Sequence, residues 1–391
     1  MNYDNLLNRQ AAEIKPSGIR RFFSMAAEMP ECISLGVGEP DFKTPWAIRE
    51  AGILSLEKGK TWYTANAGLA ELRTEICSYL KRRFELDYCA QTECLVTVGG
   101  SEGIDVALRS LVNEGDEVII PEPCFVCYTP LVELCHGTPV PVELKAENGF
   151  RLTAQQLKDA ITPKTKLVIL PFPSNPTGGV MRKEHLEALA EVLRGTDILV
   201  LTDEIYAELT YGDTRHVSIA ALPGMKERTI YINGFSKAYA MTGWRLGYVC
   251  APAALIAVMT KIHQFGIMSS PTTSQYAAIT ALKDCDDEIE EMRTEYDLRR
   301  RYLVSNLNRL GLTCFEPEGA FYVFPSIKKT GLTSEDFCMQ LLHAQHVAVV
   351  PGTAFGSSGE GYVRISYSYS LEHLMEAIKR IEAFINTLNL E

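Results

Sequence analysis

No apolar run in this 391-residue sequence approaches the roughly 20 residues needed to cross a bilayer, and its start, Met1-Asn-Tyr-Asp-Asn-Leu6, has neither the basic nor the apolar stretch of a secretory leader. A cytoplasmic protein without membrane association is therefore expected. Positive charge is in short supply: 38 lysines and arginines stand against 49 aspartates and glutamates, a net charge of −11, which argues against nucleic acid or an anionic membrane surface as a partner. Repeats and low-complexity segments are absent, which excludes solenoids and long disordered tracts. The 11 cysteines, an odd number, show no framework spacing and read as reduced, buried thiols. Cys124-Phe-Val-Cys127 has redox or zinc spacing without a second such pair, and His343-Ala-Gln-His346 falls in a helical pattern, so no metal is expected.

The chemistry concentrates in Asn233-Gly-Phe-Ser236-Lys237-Ala-Tyr-Ala-Met-Thr-Gly-Trp-Arg245-Leu-Gly-Tyr248. A lysine amine can take an aldehyde as a Schiff base, and an arginine eight residues on offers a planar fork of donors suited to phosphate oxygens. Pyridoxal 5′-phosphate needs both. Alone, such a pair is more often solvated surface; two upstream segments change that reading.

Lys166-Leu-Val-Ile-Leu170-Pro-Phe-Pro-Ser-Asn175-Pro-Thr-Gly-Gly179 is an apolar run that breaks into a Pro/Gly turn, the pattern of a buried parallel strand delivering Asn175 at its C-terminal end. Ile198-Leu-Val-Leu-Thr202 likewise delivers Asp203 and Tyr206 to the same rim, where α/β sheets bind ligands. A carboxylate deep in that rim must face a cation, and a protonated pyridine nitrogen is one. Asn175 and Tyr206 then suit the ring's phenolate oxygen. A third segment, Val96-Thr-Val-Gly99-Gly100-Ser101-Glu102-Gly103-Ile104, turns from a strand through two glycines into a helix whose free N–H groups suit a dianion. Gly100, Ser101 and Glu102 are the candidate phosphate cradle, with the Glu102 side chain expected to point away.

Asn175-Pro-Thr-Gly, Asp203-Glu-Ile-Tyr206 and Ser236-Lys237-Ala-Tyr-Ala-Met-Thr-Gly-Trp-Arg245, in that order, resemble the class I/II pyridoxal-phosphate aminotransferases, most closely their bacterial and archaeal aspartate and aromatic branch. The resemblance runs from Leu35-Gly-Val-Gly38-Glu-Pro-Asp-Phe42 to Tyr362-Val-Arg364-Ile-Ser-Tyr367. It implies that Lys237 carries the cofactor, Asp203 pairs with the ring nitrogen, and Arg245 and Ser236 join the phosphate cradle. It also implies that Phe125 stacks on the ring, that Tyr128 supports Asp203, that Arg364 clamps the substrate's α-carboxylate, and that Asn175 also meets the substrate while Gly38 lets its backbone approach closely. A bidentate guanidinium suits a planar carboxylate irrespective of family. Tyr63 matches a tyrosine that reaches the phosphate of a neighbouring subunit, so a homodimer with shared active sites is implied. Gly234 stands where relatives sometimes place a phosphate-binding serine.

Apolar strands alternating with helical patterns predict an α/β fold whose large unit, residues 46–285, holds a mostly parallel, seven-stranded type of sheet flanked by helices. A smaller α+β unit is expected from residues 1–45 and 286–391, with a long charged helix from Asp286 and a strand over Gly319–Pro325. The expected activity is transfer of an amino group from an L-amino acid to a 2-oxo acid, 2-oxoglutarate by resemblance. The donor stays open among acidic, aromatic, other apolar and N-acyl-diaminopimelate types. Ser101 stands where some relatives carry a lysine for a side-chain carboxylate, and Ile19, Arg20, Phe22 and Phe23 are candidates for a pocket cover. Two rivals remain: a pyridoxal-phosphate C–S lyase, and a non-catalytic protein that keeps the fold.

Overall fold

The computed structural model describes residues 1, 6–16, 18, 25 and 28–388, so the expected pocket cover at Ile19, Arg20, Phe22 and Phe23 lies outside the described residues. The chain begins with α1 (Arg9–Glu13), β1 (Ile33–Ser34), α2 (Trp46–Glu57) and α3 (Ala70–Phe84). Alternation follows: β2 (Cys94–Thr97), α4 (Gly99–Leu111), β3 (Glu117–Glu122), α5 (Tyr128–Leu134), β4 (Thr138–Glu143), α6 (Ala154–Ala160), β5 (Thr165–Leu170), α7 (Lys183–Leu193), β6 (Leu199–Asp203), β7 (Thr229–Gly234) and β8 (Gly247–Cys250). Next come α8 (Ala253–Gly266), α9 (Thr272–Asp284) and α10 (Asp286–Arg309). The chain closes with β9 (Tyr322–Val323), α11 (Ser334–Gln345), β10 (Val347–Ala348), β11 (Val350–Pro351), β12 (Val363–Ser366) and α12 (Leu371–Ile385). None of the described helices is long and apolar enough to cross a membrane.

Strands β2 to β8 form one seven-stranded sheet in the order β2-β8-β7-β6-β5-β3-β4. Every pairing is parallel except those of β8, which runs antiparallel to both β2 and β7. Burial on both faces follows from the period of two: Ile230 and Ile232 of β7 pack with Ile104 and Leu108 of α4 on one side, while Tyr231 packs with Leu72 and Ala278 on the other.

Strand β4 is not among the strands expected from the sequence. Its Thr-Pro-Val-Pro-Val-Glu carries two prolines, which disfavour a central strand, but β4 lies at the sheet edge, where a missing N–H costs no ladder bond. The expected strand over Gly319–Pro325 contracts to Tyr322–Val323, between a glycine and a proline.

The N-terminal segment and the C-terminal third share small sheets. β1 pairs parallel with β10, β12 lies between β11 and β9, and Leu35 packs with Leu307, Phe337 and Val363. This places Gly36–Glu39 and Arg364 over the C-terminal ends of β5, β6 and β7.

Candidate active site

Strand alternation sends the adjacent carboxylates at the end of β6 to different places. Glu204 is consumed within the protein, accepting from Thr202 Oγ1 at 2.8 Å and Ser218 Oγ at 2.6 Å and pairing with His216. Asp203, also buried, accepts only from Tyr128 Oη at 2.8 Å and the Ile205 amide at 3.3 Å. Burial pushes its carboxyl up to about 6, against the Tyr128 and Ile205 donors that hold it down. No basic side chain among the described residues forms an ion pair with it.

Lys237 follows β7 and donates from Nζ to the Gly38 carbonyl at 2.5 Å. Removal from bulk water lowers its ammonium from 10.5 to about 8; Glu39 and Asp203 oppose that drop, and Arg364 and Arg245 reinforce it. In cofactor-free protein, acylation of Lys237 by an amine-selective reagent is therefore expected to be half-maximal near pH 8. Asp203→Asn removes an anion that favours the ammonium and should move that midpoint lower still. Peptide mapping of the labelled protein across pH checks this, and a midpoint near that of an ordinary lysine would contradict it.

The start of α4 lies against Arg245. A Cβ built at Gly99 would fall 2.6 Å from Arg245 Nη2, and one at Gly247 would fall 2.6 Å from the Gly99 carbonyl carbon, so both positions require glycine. Arg245, itself at φ +52°, donates to the Thr242 carbonyl at 3.0 Å. No side chain caps α4 through its N-cap residue, Val98. The Glu102 carboxylate is turned aside, accepting the Val98 amide and lying 2.6 Å from His263 Nδ1.

Arg364 is buried on β12. It donates to Asn175 Oδ1 at 2.9 Å and to the Gly36 carbonyl, lies 4.5 Å from the Tyr322 ring centre and 4.8 Å from that of Phe355, and leaves Nε without a partner. Burial lowers its pKa, and no carboxylate opposes it among the described residues.

One cavity of about 540 Å³ joins these groups. Of the residues expected from the sequence, Gly38, Gly100, Ser101, Phe125, Asn175, Asp203, Tyr206, Ser236, Lys237, Arg245 and Arg364 line it. Glu102 and Tyr63 do not: the Glu102 carboxylate is held by Val98 and His263, and Tyr63 is 77 % exposed on the surface. Tyr322 and Glu39 are among the lining residues that the sequence reading left unassigned. Tyr322 shares a 2.8 Å hydrogen bond with Tyr206 Oη, and Glu39 accepts from Thr242 Oγ1 at 3.2 Å. The signal for Tyr322 was its place in the expected Gly319–Pro325 strand, and that for Glu39 its place beside Gly38.

A buried carboxylate and a buried amine that form no ion pair among the described residues, and a guanidinium beside the Gly100–Glu102 amides at a helix start, are what a phosphorylated pyridine aldehyde requires. The residues present thus fit pyridoxal 5′-phosphate.

Comparison with known proteins agrees. Residues 30–381 match the family model described as aminotransferase class I and II. The Bacillus subtilis protein YugH is 55 % identical over 97 % of this chain and 98 % of its own, and aspartate aminotransferase of Pyrococcus abyssi is 46 % identical over 96 % and 97 %. The crystal structure of an aromatic aminotransferase from Pyrococcus horikoshii superposes with a TM-score of 0.90 at 45 % identity, covering 94 % of this chain and 99 % of that one.

Proposed function

This chain belongs to the class I and II aminotransferases, pyridoxal-phosphate enzymes that carry an amino group from an amino acid to a 2-oxo acid, and from that premise we propose a division of labour among its cavity residues. When bound, the cofactor supplies an aldehyde and an electron-withdrawing ring. Asp203 faces the ring nitrogen, and its raised pKa reflects the burial that this cation offsets. Tyr128 fixes the orientation of that carboxylate. Asn175 and Tyr206 donate to the ring oxygen, Phe125 covers the ring, and Arg245, Ser236 and the amides of Gly100, Ser101 and Glu102 hold the phosphate. Lys237 binds the aldehyde and, once freed by the donor, takes up the Cα proton at Nζ. An amine lowered to about 8 is unprotonated often enough near neutral pH to do so.

The observation that carries this reading is Arg364: a buried guanidinium with an unpartnered Nε and no carboxylate opposite, in the same cavity as Lys237. It suits the α-carboxylate shared by donor and acceptor, and Gly38 and Asn175 stand beside it. We place 2-oxoglutarate as the acceptor. Among the described residues Lys237, Arg245 and Arg364 are the cavity's cations, and each already has a task. With Ser101 rather than a cation on the cavity wall, a second carboxylate, whether of aspartate or of 2-oxoglutarate, finds no further cation among the described lining residues, so the donor stays open among acidic, aromatic and other apolar types. Residues 1–45 and 286–391 form the unit that closes over the site. A second copy brings Tyr63 to the phosphate; exposed Trp62 and Tyr63 adjoin exposed Ile267 and Met268 through the bonds Thr272 to Trp62 and Asn66 to Met268, as an association face would.

Product analysis tests the reading. Donors incubated with 2-oxoglutarate should yield glutamate and the matching 2-oxo acid in equal amounts, and their relative rates rank the donors. Pyruvate and ammonia without any added oxo acid, accompanied by sulfide from cysteine or by homocysteine from cystathionine, would favour the lyase instead.

A further inference from the structure

We propose that His263 is a positioning residue for the phosphate end of the site: it holds the Glu102 carboxylate back on the amide of the N-cap residue Val98, leaving the amides of Gly100, Ser101 and Glu102 free for a dianion. The inference rests on reading Gly100–Glu102 as the phosphate cradle.

Glu102 occupies the first turn of α4, where the open N–H groups and the helix dipole attract any carboxylate. Left unrestrained, its side chain competes for the same donors as a phosphate and adds a like charge beside it. In the structure both oxygens are engaged elsewhere. One accepts the Val98 amide, and the other lies 2.6 Å from Nδ1 of His263 on the neighbouring helix α8. A carboxylate carries no proton, so Nδ1 is the donor.

His263 itself is fully buried, and its Nε2 has no partner. Burying an imidazole with one nitrogen unsatisfied is costly, and an apolar residue would fill the same space between helices without that cost. Among the described residues its contact with Glu102 is the ring's one polar interaction. The arrangement therefore clears the helix start at the expense of local packing.

The test compares how cofactor-free protein binds pyridoxal 5′-phosphate and pyridoxal, which lacks the phosphate. His263→Leu is expected to weaken the phosphorylated ligand about tenfold, the scale of one charge-assisted hydrogen bond, and to leave pyridoxal affinity unchanged. Adding Glu102→Gln to His263→Leu should restore the phosphate preference, because the charge that needed holding is gone. Equal losses for both ligands, or a double variant as weak as His263→Leu, would overturn the proposal. If His263→Leu does not fold, His263→Asn serves: its amide can still donate to Glu102, so the preference should survive, and its loss would count against the proposal. Should the unaltered protein bind both ligands equally, the cradle reading fails as well.

Discussion

Replacing Lys237 by alanine is expected to lower amino-group transfer by about 10⁴-fold, the upper end of what one positioned proton-transfer group contributes. The loss should come without loss of fold. The site disfavours the charged amine, as its pKa near 8 records, so removing it relieves a desolvation cost and breaks one hydrogen bond, to the Gly38 carbonyl. The Asp203 carboxylate, Arg245 and the α4 amides remain, and the variant should still take up pyridoxal phosphate, without a covalent link. Thermal unfolding, cofactor content after denaturation and steady-state rates check the three parts. Turnover within tenfold of the unaltered protein would remove Lys237 from its assigned role.

The second large effect is expected for Arg364→Ala. Truncating one partner of a buried, charge-assisted contact typically costs roughly 2–5 kcal/mol, which predicts a loss of kcat/KM of about 30- to 4,000-fold. The loss should fall mainly on KM for donor and acceptor alike, since both present an α-carboxylate. Cofactor content should be unchanged, because Arg364 bonds to Asn175 and Gly36 and not to the phosphate end. Arg364→Lys should recover little, as an ammonium cannot reproduce a planar two-point fork. Some destabilisation accompanies either variant, because Asn175 Oδ1 and the Gly36 carbonyl lose a buried donor. Initial rates over a wide concentration range separate the two effects; an unchanged KM for every α-amino acid would contradict the assignment.

Much of the site was legible because its chemistry sits at strand ends that the sequence marks twice, by an apolar run and by the turn that follows. The motif singled out Asp203 over its neighbour Glu204, and the physical reason appears only in three dimensions: His216, Ser218 and Thr202 consume Glu204 and leave Asp203 facing the cavity. Strand β4 was missed because prolines at 139 and 141 obscure a strand whose edge position makes them tolerable. Tyr322 went unassigned because its role depends on Tyr206 and Arg364, both brought to it by packing between distant segments. The His263–Glu102 contact links residues 161 positions apart, and no local pattern announces such a pair.

The account's central claim is that Lys237 and Arg364 act on one amino acid in one cavity, and a single-turnover experiment addresses it most directly. Cofactor-loaded protein is mixed with an excess of an uncharged amino acid and no acceptor, and the 2-oxo acid released is counted per active site. One equivalent from the unaltered protein, with none from Lys237→Ala and half-saturation at a far higher donor concentration in Arg364→Ala, is the predicted result. Release that continues past one equivalent without an acceptor, or an equal yield from Lys237→Ala, would contradict it.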